Sequence, residues 1–420
     1  MKNSYEKILE DVFAAYFSAR KHKRNTNNQL RFEINMEENL VNLARDIYRR
    51  EYKVSTGVCF IVNVPVKREI FAADFRDRVV HHLLFNYISP IFEKQFITDC
   101  YSCRKGFGTL YGIERLGHHI RSCSRNYTRE AYVLKLDIAG YFMSINKDVL
   151  FGILKKRIES VSPADRINVG LDVDLVLYLI EKVLYDDPTK NCIYKTPPST
   201  WKGLPASKSL FGKSPGVGLP IGNLTSQLFS NIYLTPFDNF VKRKLRIKHY
   251  GRYVDDFYLI HNDISVLKRS VQLISQCLEV NFKLRLHPNK VYLQKVEHGV
   301  NFLGAHVKPY RRYVVNRTKS LMKKSLFDLN DRCSEDNLTS EGLKLARSFI
   351  NSYLGYLRHF HSYKLKSQMI EKFIRLKKCG KFNNKLHIYK PNKLSVRSGF
   401  ALPGTAFCSD PFINVSYSMV

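Results

Sequence analysis

Gly251-Arg252-Tyr253-Val254-Asp255-Asp256-Phe257-Tyr258-Leu259-Ile260 sets two adjacent carboxylates between β-forming flanks. Tyr253 and Val254 before them, and Phe257 to Ile260 after, predict a strand, a tight acidic turn and a returning strand. Two like charges at a hairpin tip repel each other and add nothing to a core. A divalent cation over the tip makes the arrangement favourable, because hard oxygen ligands suit Mg²⁺. A solvated turn is the plain alternative, since Asp is a common turn residue. Partners elsewhere in the chain must decide.

One partner stands at Lys135-Leu136-Asp137-Ile138-Ala139-Gly140-Tyr141-Phe142. Tyr132 to Leu136 reads as a short apolar strand that ends at Asp137. If that strand neighbours the hairpin, three carboxylates from two strands can hold two Mg²⁺ ions in the manner of nucleotide polymerases. The metal positions are then Asp137, Asp255 and Asp256, with Ile138 adjoining. One ion would lower the pKa of a primer hydroxyl, and the other would neutralise a triphosphate and its leaving pyrophosphate. Alone, Asp137 reads equally well as a helix N-cap.

Composition narrows the partner. The 420 residues carry 68 Lys and Arg against 37 acids, a net charge of +31. That excess points to a polyanion. An anionic membrane surface competes, but 25 Tyr and 27 Phe favour nucleic acid, whose bases stack on aromatic faces. No run of 18 or more apolar residues appears, so no membrane span is expected. Met1 to Arg20, with Glu6, Glu10 and Asp11, reads as an amphipathic helix and not as a signal peptide. Nine scattered cysteines suggest reduced thiols in a cytoplasm.

Along the chain, residues 1–50 read as helical. A β-rich run covers Val58–Val66, and a helix covers Arg76–Tyr87. Lys147–Tyr185 has helical spacing with a break near Ser162-Pro163. Residues 186–218 read as a loop, and Leu219–Lys244 as an entry turn and one long apolar helix. After the hairpin come a helix over Ile264–Leu278, short strands near Lys283–Leu286 and Val291–Leu293, and β-structure over Asn301–Val315. Residues 316–375 read as helices, with an apolar stripe from Leu343 to Leu357. Residues 361–400 hold 11 Lys or Arg against the single acid Glu371. Residues 401–420 hold no Lys or Arg and read as packing on the body or on another subunit, so a homo-oligomer stays open.

With these motifs in order, the chain resembles a reverse transcriptase over roughly residues 50–360. Asp137 and Phe142 match the first palm motif, and Leu219-Pro220-Ile221-Gly222-Asn223-Leu224-Thr225-Ser226-Gln227 the glycine-containing one. Tyr253-Val254-Asp255-Asp256 matches the catalytic hairpin. Leu286-His287-Pro288-Asn289-Lys290 resembles the following motif, and Asn301-Phe302-Leu303-Gly304 the primer-grip turn. The family usually has Gln before the glycine and Pro after the serine, where this chain has Ile221 and Gln227. That departure, with Arg68-Glu69-Ile70-Phe71, Arg104-Lys105-Gly106 and Ser352-Tyr353-Leu354-Gly355, resembles the bacterial branch of diversity-generating retroelement and defence-associated enzymes. Loss of an amide at 221 removes a hydrogen-bonding group near the templating pair, so base selection is expected to relax.

The resemblance implies catalytic roles for Asp137, Asp255, Asp256 and Lys290, the last a general acid or phosphate-neutralising group. It implies substrate contacts for Lys67, Arg68, Phe142, Gly222, Gln227 and Tyr253. Phe142 would put a ring where a ribose 2′-hydroxyl sits, or would be a core residue. Gly222 would let backbone approach a nucleotide. Lys67 and Arg68 would reach the triphosphate, Arg68 by bidentate contact, or would be ordinary surface cations. Asp238, Asp74 and Asp77 read as helix-surface or salt-bridge residues. Cys100-Tyr101-Ser102-Cys103 has zinc-ligand spacing without a second pair in sequence, unless Cys123, His118 and His119 complete it.

The expected fold is α+β, a right-hand polymerase with fingers, a palm of antiparallel sheet backed by helices, and a helical thumb. The expected domains are 1–50 helical, 51–305 fingers and palm, 306–375 thumb, and 376–420 a basic and then apolar tail. The implied activity is RNA-directed DNA synthesis from dNTPs on a dedicated noncoding RNA, yielding cDNA. Antiviral defence is the expected role, gene diversification the alternative, and a non-catalytic RNA-binding scaffold the alternative of another class. Lys308, Arg311, Arg312, Arg317, Lys319, Lys323 and Lys324, with no acid between them, are expected along a template–primer backbone. Nothing resembles a primase, so the priming hydroxyl comes from the RNA or from a tyrosine such as Tyr389 or Tyr417.

Overall fold

The computed structural model describes residues 3–21, 25–63, 66–168, 170–332 and 340–391. In chain order its strands are β1 (Gly57–Val62), β2 (Arg68–Ala72), β3 (Tyr132–Asp137), β4 (Cys192–Tyr194), β5 (His249–Tyr253) and β6 (Asp256–His261). There follow β7 (Tyr292–Lys295), β8 (Val300–Phe302), β9 (Ala305–Lys308), β10 (Arg311–Val314), β11 (Gly380–Phe382) and β12 (Tyr389–Pro391). The chain divides into two compact units. One takes residues up to 108 and 134–292, and the other takes 109–133 and the described residues from 293 on.

In the first unit the helices Tyr5–Arg20, Asn27–Ile34 and Met36–Tyr48 bury Ile8, Val12, Leu40, Leu43 and Ile47. The helix Phe75–Glu93 starts at an N-cap, where Asp74 accepts from the Arg76 N–H at 2.9 Å. Asp77 is buried beside it, accepting from the Tyr52 hydroxyl at 2.7 Å and the Ser55 N–H at 2.8 Å. Both acids are therefore structural.

A three-stranded sheet, order β2-β1-β4, carries the fingers motif. The stretch 186–218, expected as loop, supplies β4 parallel to β1. Glu69 explains why this polar stretch is held. It is fully buried and accepts from Trp201 Nε1 at 2.6 Å, Ser209 Oγ at 2.7 Å and the Leu210 N–H at 2.6 Å. Lys67 also serves the loop, donating to the Lys202 carbonyl at 2.6 Å.

The palm sheet has the order β5-β6-β3-β7, so the strand ending in Asp137 adjoins the returning strand of the acidic hairpin. Alternation along β6 is suppressed: Phe257, Tyr258, Leu259 and Ile260 are all buried, as in a strand covered on both faces. The helix Ile264–Phe282 packs on it. The expected strand near Lys283–Leu286 is absent. Lys283 takes φ 54° as the left-handed C-cap of that helix, and Leu286 makes a single bridge to Ile138. The expected long helix is also divided: Leu224–Tyr233 ends, Thr235–Asn239 restarts with Pro236, and the chain widens into a π-turn over Phe240–Lys244.

The second unit holds the meander β8-β9-β10, the helices Thr109–Cys123, Asn316–Arg332, Ser340–Leu357 and Tyr363–Glu371, and the hairpin β11-β12. Tyr389 of β12 is fully buried, and its hydroxyl donates to the Leu376 carbonyl at 3.0 Å. This corrects its reading as a candidate priming hydroxyl in a tail, because that group is tied inside the second unit. Tyr417 and the apolar tail lie outside the described residues.

Replacing Glu69 with Ala strands three donors at once. Glu69→Ala should lower the unfolding free energy by about 3 kcal/mol, roughly one per donor. Urea denaturation followed by fluorescence of Trp201, the chain's single tryptophan, checks this. An unchanged midpoint would show that the loop holds without Glu69.

Candidate active site

Tyr253 pairs with Asp256, so Val254 and Asp255 form a two-residue turn. Val254 adopts φ 56°, a conformation that β-branched residues rarely take. Two neighbours hold it there: its N–H donates to Ser102 Oγ at 3.2 Å, and its carbonyl accepts from Arg252 Nη1 at 3.0 Å. Arg252 is fully buried and bonds Asp238 twice, Nε to Oδ1 at 2.8 Å and Nη2 to Oδ2 at 2.6 Å. The Tyr250 hydroxyl adds a third bond to Asp238 at 2.6 Å. Of the two expectations for Asp238, the salt bridge holds, and it lies in the core and not on a helix surface.

This turn presents Asp255 and Asp256 beside Asp137. Burial, and then the charges of Asp137 and Asp256, push the Asp255 carboxyl up to about 6. Asp256 is raised by burial too, with Lys135 and Lys290 opposing. Lys135 Nζ stands 3.2 Å from Asp256, and Lys290 Nζ 2.9 Å from Asp137. Among the described residues no three His, Cys, Asp or Glu side chains converge as a finished metal cage. What the site offers is a set of carboxylate oxygens whose mutual repulsion two ammonium groups partly offset. Such oxygens suit a hard divalent cation. The Ile138 side chain has no donor atom, so only its main-chain carbonyl could serve such a cation.

The surrounding residues sort themselves. Arg68 is exposed at the start of β2, close enough to Tyr253 to oppose the rise of its hydroxyl, which burial pushes up to about 12. Phe142 sits half-buried on the short helix Tyr141–Ser144, against the cluster of Cys59, Phe71, Met143 and Leu210. Ile221 joins that cluster, which explains an apolar residue where the family usually has an amide. Gly222, at φ 134°, is required by the chain itself: a Cβ there would lie 2.5 Å from the Phe71 carbonyl oxygen. The fold itself therefore needs the bare position. Gln227 is half-buried on the helix Leu224–Tyr233.

Arg252, Ser102 and Lys135 were not foreseen. Lys135 had a signal, since residues two apart on a strand share a face. The Cys100–Cys103 segment, weakly suggestive of zinc, has another use. Its Ser102 and Cys100 Sγ join the buried network of Arg252 and Asn231, with Ser102 Oγ to Asn231 Oδ1 at 2.8 Å.

Residues 67–307 match the reverse transcriptase (RNA-dependent DNA polymerase) family. Protein YkfC of Escherichia coli (strain K12) is 24% identical over 266 residues, covering 54% of this chain. The chain spans 60% of that protein's length. Telomerase from Candida albicans, solved with a fragment of telomeric RNA, is similar at 12% identity and a TM-score of 0.45, over 77% of this chain and 60% of that one. Apo telomerase from Candida tropicalis is similar at 11% identity and a TM-score of 0.45, over 77% and 62%.

Removing one partner of the buried pair leaves an unpaired charge, so Asp238→Leu should destabilise the fold by about 3–5 kcal/mol. Adding Arg252→Met should recover most of that loss. The double variant should still lose about 100-fold in nucleotide incorporation, because the turn has lost its clamp. Thermal unfolding and primer extension, read side by side, separate the two effects. A stable double variant with full activity would reduce the pair to a packing element.

Proposed function

The chain belongs to the reverse transcriptase (RNA-dependent DNA polymerase) family, and from that premise we propose that it copies RNA into cDNA from dNTPs by nucleotidyl transfer. The carrying observation is the trio Asp137, Asp255 and Asp256 at adjoining strand ends, with the carboxyls of Asp255 and Asp256 raised. The same trio, intact, disfavours a non-catalytic RNA-binding scaffold.

Asp137, Asp255 and Asp256, with the Ile138 carbonyl, would hold divalent cations, two Mg²⁺ for preference. When bound, such ions supply Lewis acidity toward the primer hydroxyl and neutralise phosphate charge. The protein's own groups do the rest. Arg68, exposed beside Tyr253, would grip the triphosphate through its planar fork. Lys67, tied to the Lys202 carbonyl, would act from the loop side. Lys290, half-exposed and bonded to Asp137, would meet the developing negative charge on the pyrophosphate. Phe142 would exclude a 2′-hydroxyl, while Gly222, Gln227 and Tyr253 would complete the wall. The basic run from Lys308 to Lys324 would bind nucleic-acid backbone.

The template we propose is a dedicated noncoding RNA, and the role antiviral defence, with gene diversification second. Ile221 and Gln227, which resemble the bacterial branch serving both roles, support this reading. Sequencing of copurified nucleic acid tests it: many unrelated templates would count against a dedicated RNA. We also propose a cytoplasmic setting, since the seven cysteines among the described residues are all free thiols. No helix among those residues is long and apolar enough to cross a membrane. A homo-oligomer is left to size measurement.

Asp255→Ala with Asp256→Ala should abolish dNTP incorporation while RNA binding persists on the basic surface. Near wild-type synthesis by that double variant would overturn the polymerase reading. Phe142→Ala should admit ribonucleotides. Primer extension with rNTPs checks this, and no rise over wild type would assign the ring to packing alone.

A further inference from the structure

The second unit holds a concave site that the polymerase chemistry does not use. It is a cavity of about 690 Å³ between β10, the turn after the helix Ser340–Leu357, and the segment before β12. Its size falls within the roughly 300–1,000 Å³ of ordinary ligand pockets. Its lining includes Arg358, Lys364, Lys366 and Lys385, and no carboxylate.

Lys366 is the telling residue. It is 3% exposed, yet its hydrogen bond is a long one, 3.4 Å to the Lys385 carbonyl. A buried ammonium without an anion is costly, and burial pulls its pKa below the usual lysine range. His387 feels the same field: after burial, the charges of Lys366, Lys385 and Arg358 hold it below its ordinary value. Three cations thus crowd one ring. His361 adds a donor. Its Nδ1 accepts from the Arg312 N–H at 3.1 Å, so the neutral ring carries its proton on Nε2. Tyr363 supplies an aromatic face, 64% exposed, on the same lining.

Repulsion among these groups turns to attraction when a compact dianion enters, and the tyrosine face suits a planar ring. We propose that this cavity binds a nucleoside phosphate, with Lys366, Lys385 and Arg358 on the phosphate and Tyr363 against the base. The ligand is either a free nucleotide or the phosphorylated end of an RNA strand. The site lies in the second unit and does not rest on the polymerase reading.

The test uses the full chain in EDTA, which keeps cation-dependent nucleotide binding in the palm silent. One arm measures anisotropy of a short 3′-labelled RNA bearing a 5′-monophosphate or a 5′-hydroxyl, and the other titrates AMP calorimetrically. On the wild type the terminal phosphate should tighten RNA binding about tenfold. Lys366→Met should abolish that gain. Because a buried change can unfold the unit, the exposed pair Arg358→Gln and Lys385→Gln serves as the second variant and should abolish it too. A phosphate-dependent gain lost in the paired variant assigns an RNA end; AMP binding lost there without such a gain assigns a free nucleotide. If the wild type shows neither, or the paired variant keeps what the wild type shows, the proposal fails.

Discussion

The acidic hairpin depends on one buried ion pair. Arg252 has no surface open to water, so its charge is tolerable only because Asp238 meets it with two short bonds. Burial alone would weaken the guanidinium's hold on its proton, and Asp238 more than reverses this. The same guanidinium then reaches forward to the Val254 carbonyl and holds a β-branched residue at φ 56°. Without an external clamp that turn would relax, since the conformation costs on the order of 1–3 kcal/mol. Space around the pair is equally fixed. At Gly251, between Tyr250 and Arg252, any Cβ would run into the hydroxyls of Tyr101 and Tyr258, which bond each other at 2.8 Å.

Above this clamp the site is a balance of like charges. Burial first, and then repulsion from Asp137 and Asp256, pushes Asp255 up to about 6. Lys135, paired with Asp256, and Lys290, paired with Asp137, offset part of the repulsion. The two lysines are not equivalent. Lys135 is 19% exposed on the strand, whereas Lys290 is 47% exposed in a loop and free to change rotamer. Lys290 can therefore leave Asp137 for a phosphate oxygen at small cost, while Lys135 stays as a fixed counter-charge. A full cage of ligands with no ammonium partner would be harder to stabilise empty.

The palm was legible because its signals are local. Asp255-Asp256 between β-formers, and Asp137 ending an apolar strand, needed only the inference that the strands adjoin. The helices of the first 50 residues were legible for the same reason. What escaped depends on long-range contacts. Glu69 reads in sequence as one more charge beside Lys67 and Arg68, and only the fold shows Trp201, Ser209 and Leu210 converging on it. Asp238 reads in sequence as a helix-surface or salt-bridge residue, and nothing local chooses between the two because its partner lies 14 residues away on another element. Gly222 stands out in the sequence, but its near neighbour is the Phe71 carbonyl, about 150 residues earlier, which no local pattern reveals.

Those contacts also bind the residues proposed to face the nucleotide to the core. Phe142 and Ile221 pack on one cluster, Cys59, Phe71, Met143 and Leu210, drawn from four separated stretches. The Phe71 N–H donates to the Ile221 carbonyl at 2.8 Å, and the Leu219 N–H to the Phe142 carbonyl at 2.8 Å. Glu69, two residues before Phe71, accepts from the Leu210 N–H. The ring proposed to exclude a 2′-hydroxyl is thus positioned by packing and main-chain bonds together, with little rotamer freedom of its own. An apolar Ile221 follows from this arrangement. An amide there would have to bury a polar group against Phe71 and Leu210, or turn outward and leave the cluster underpacked.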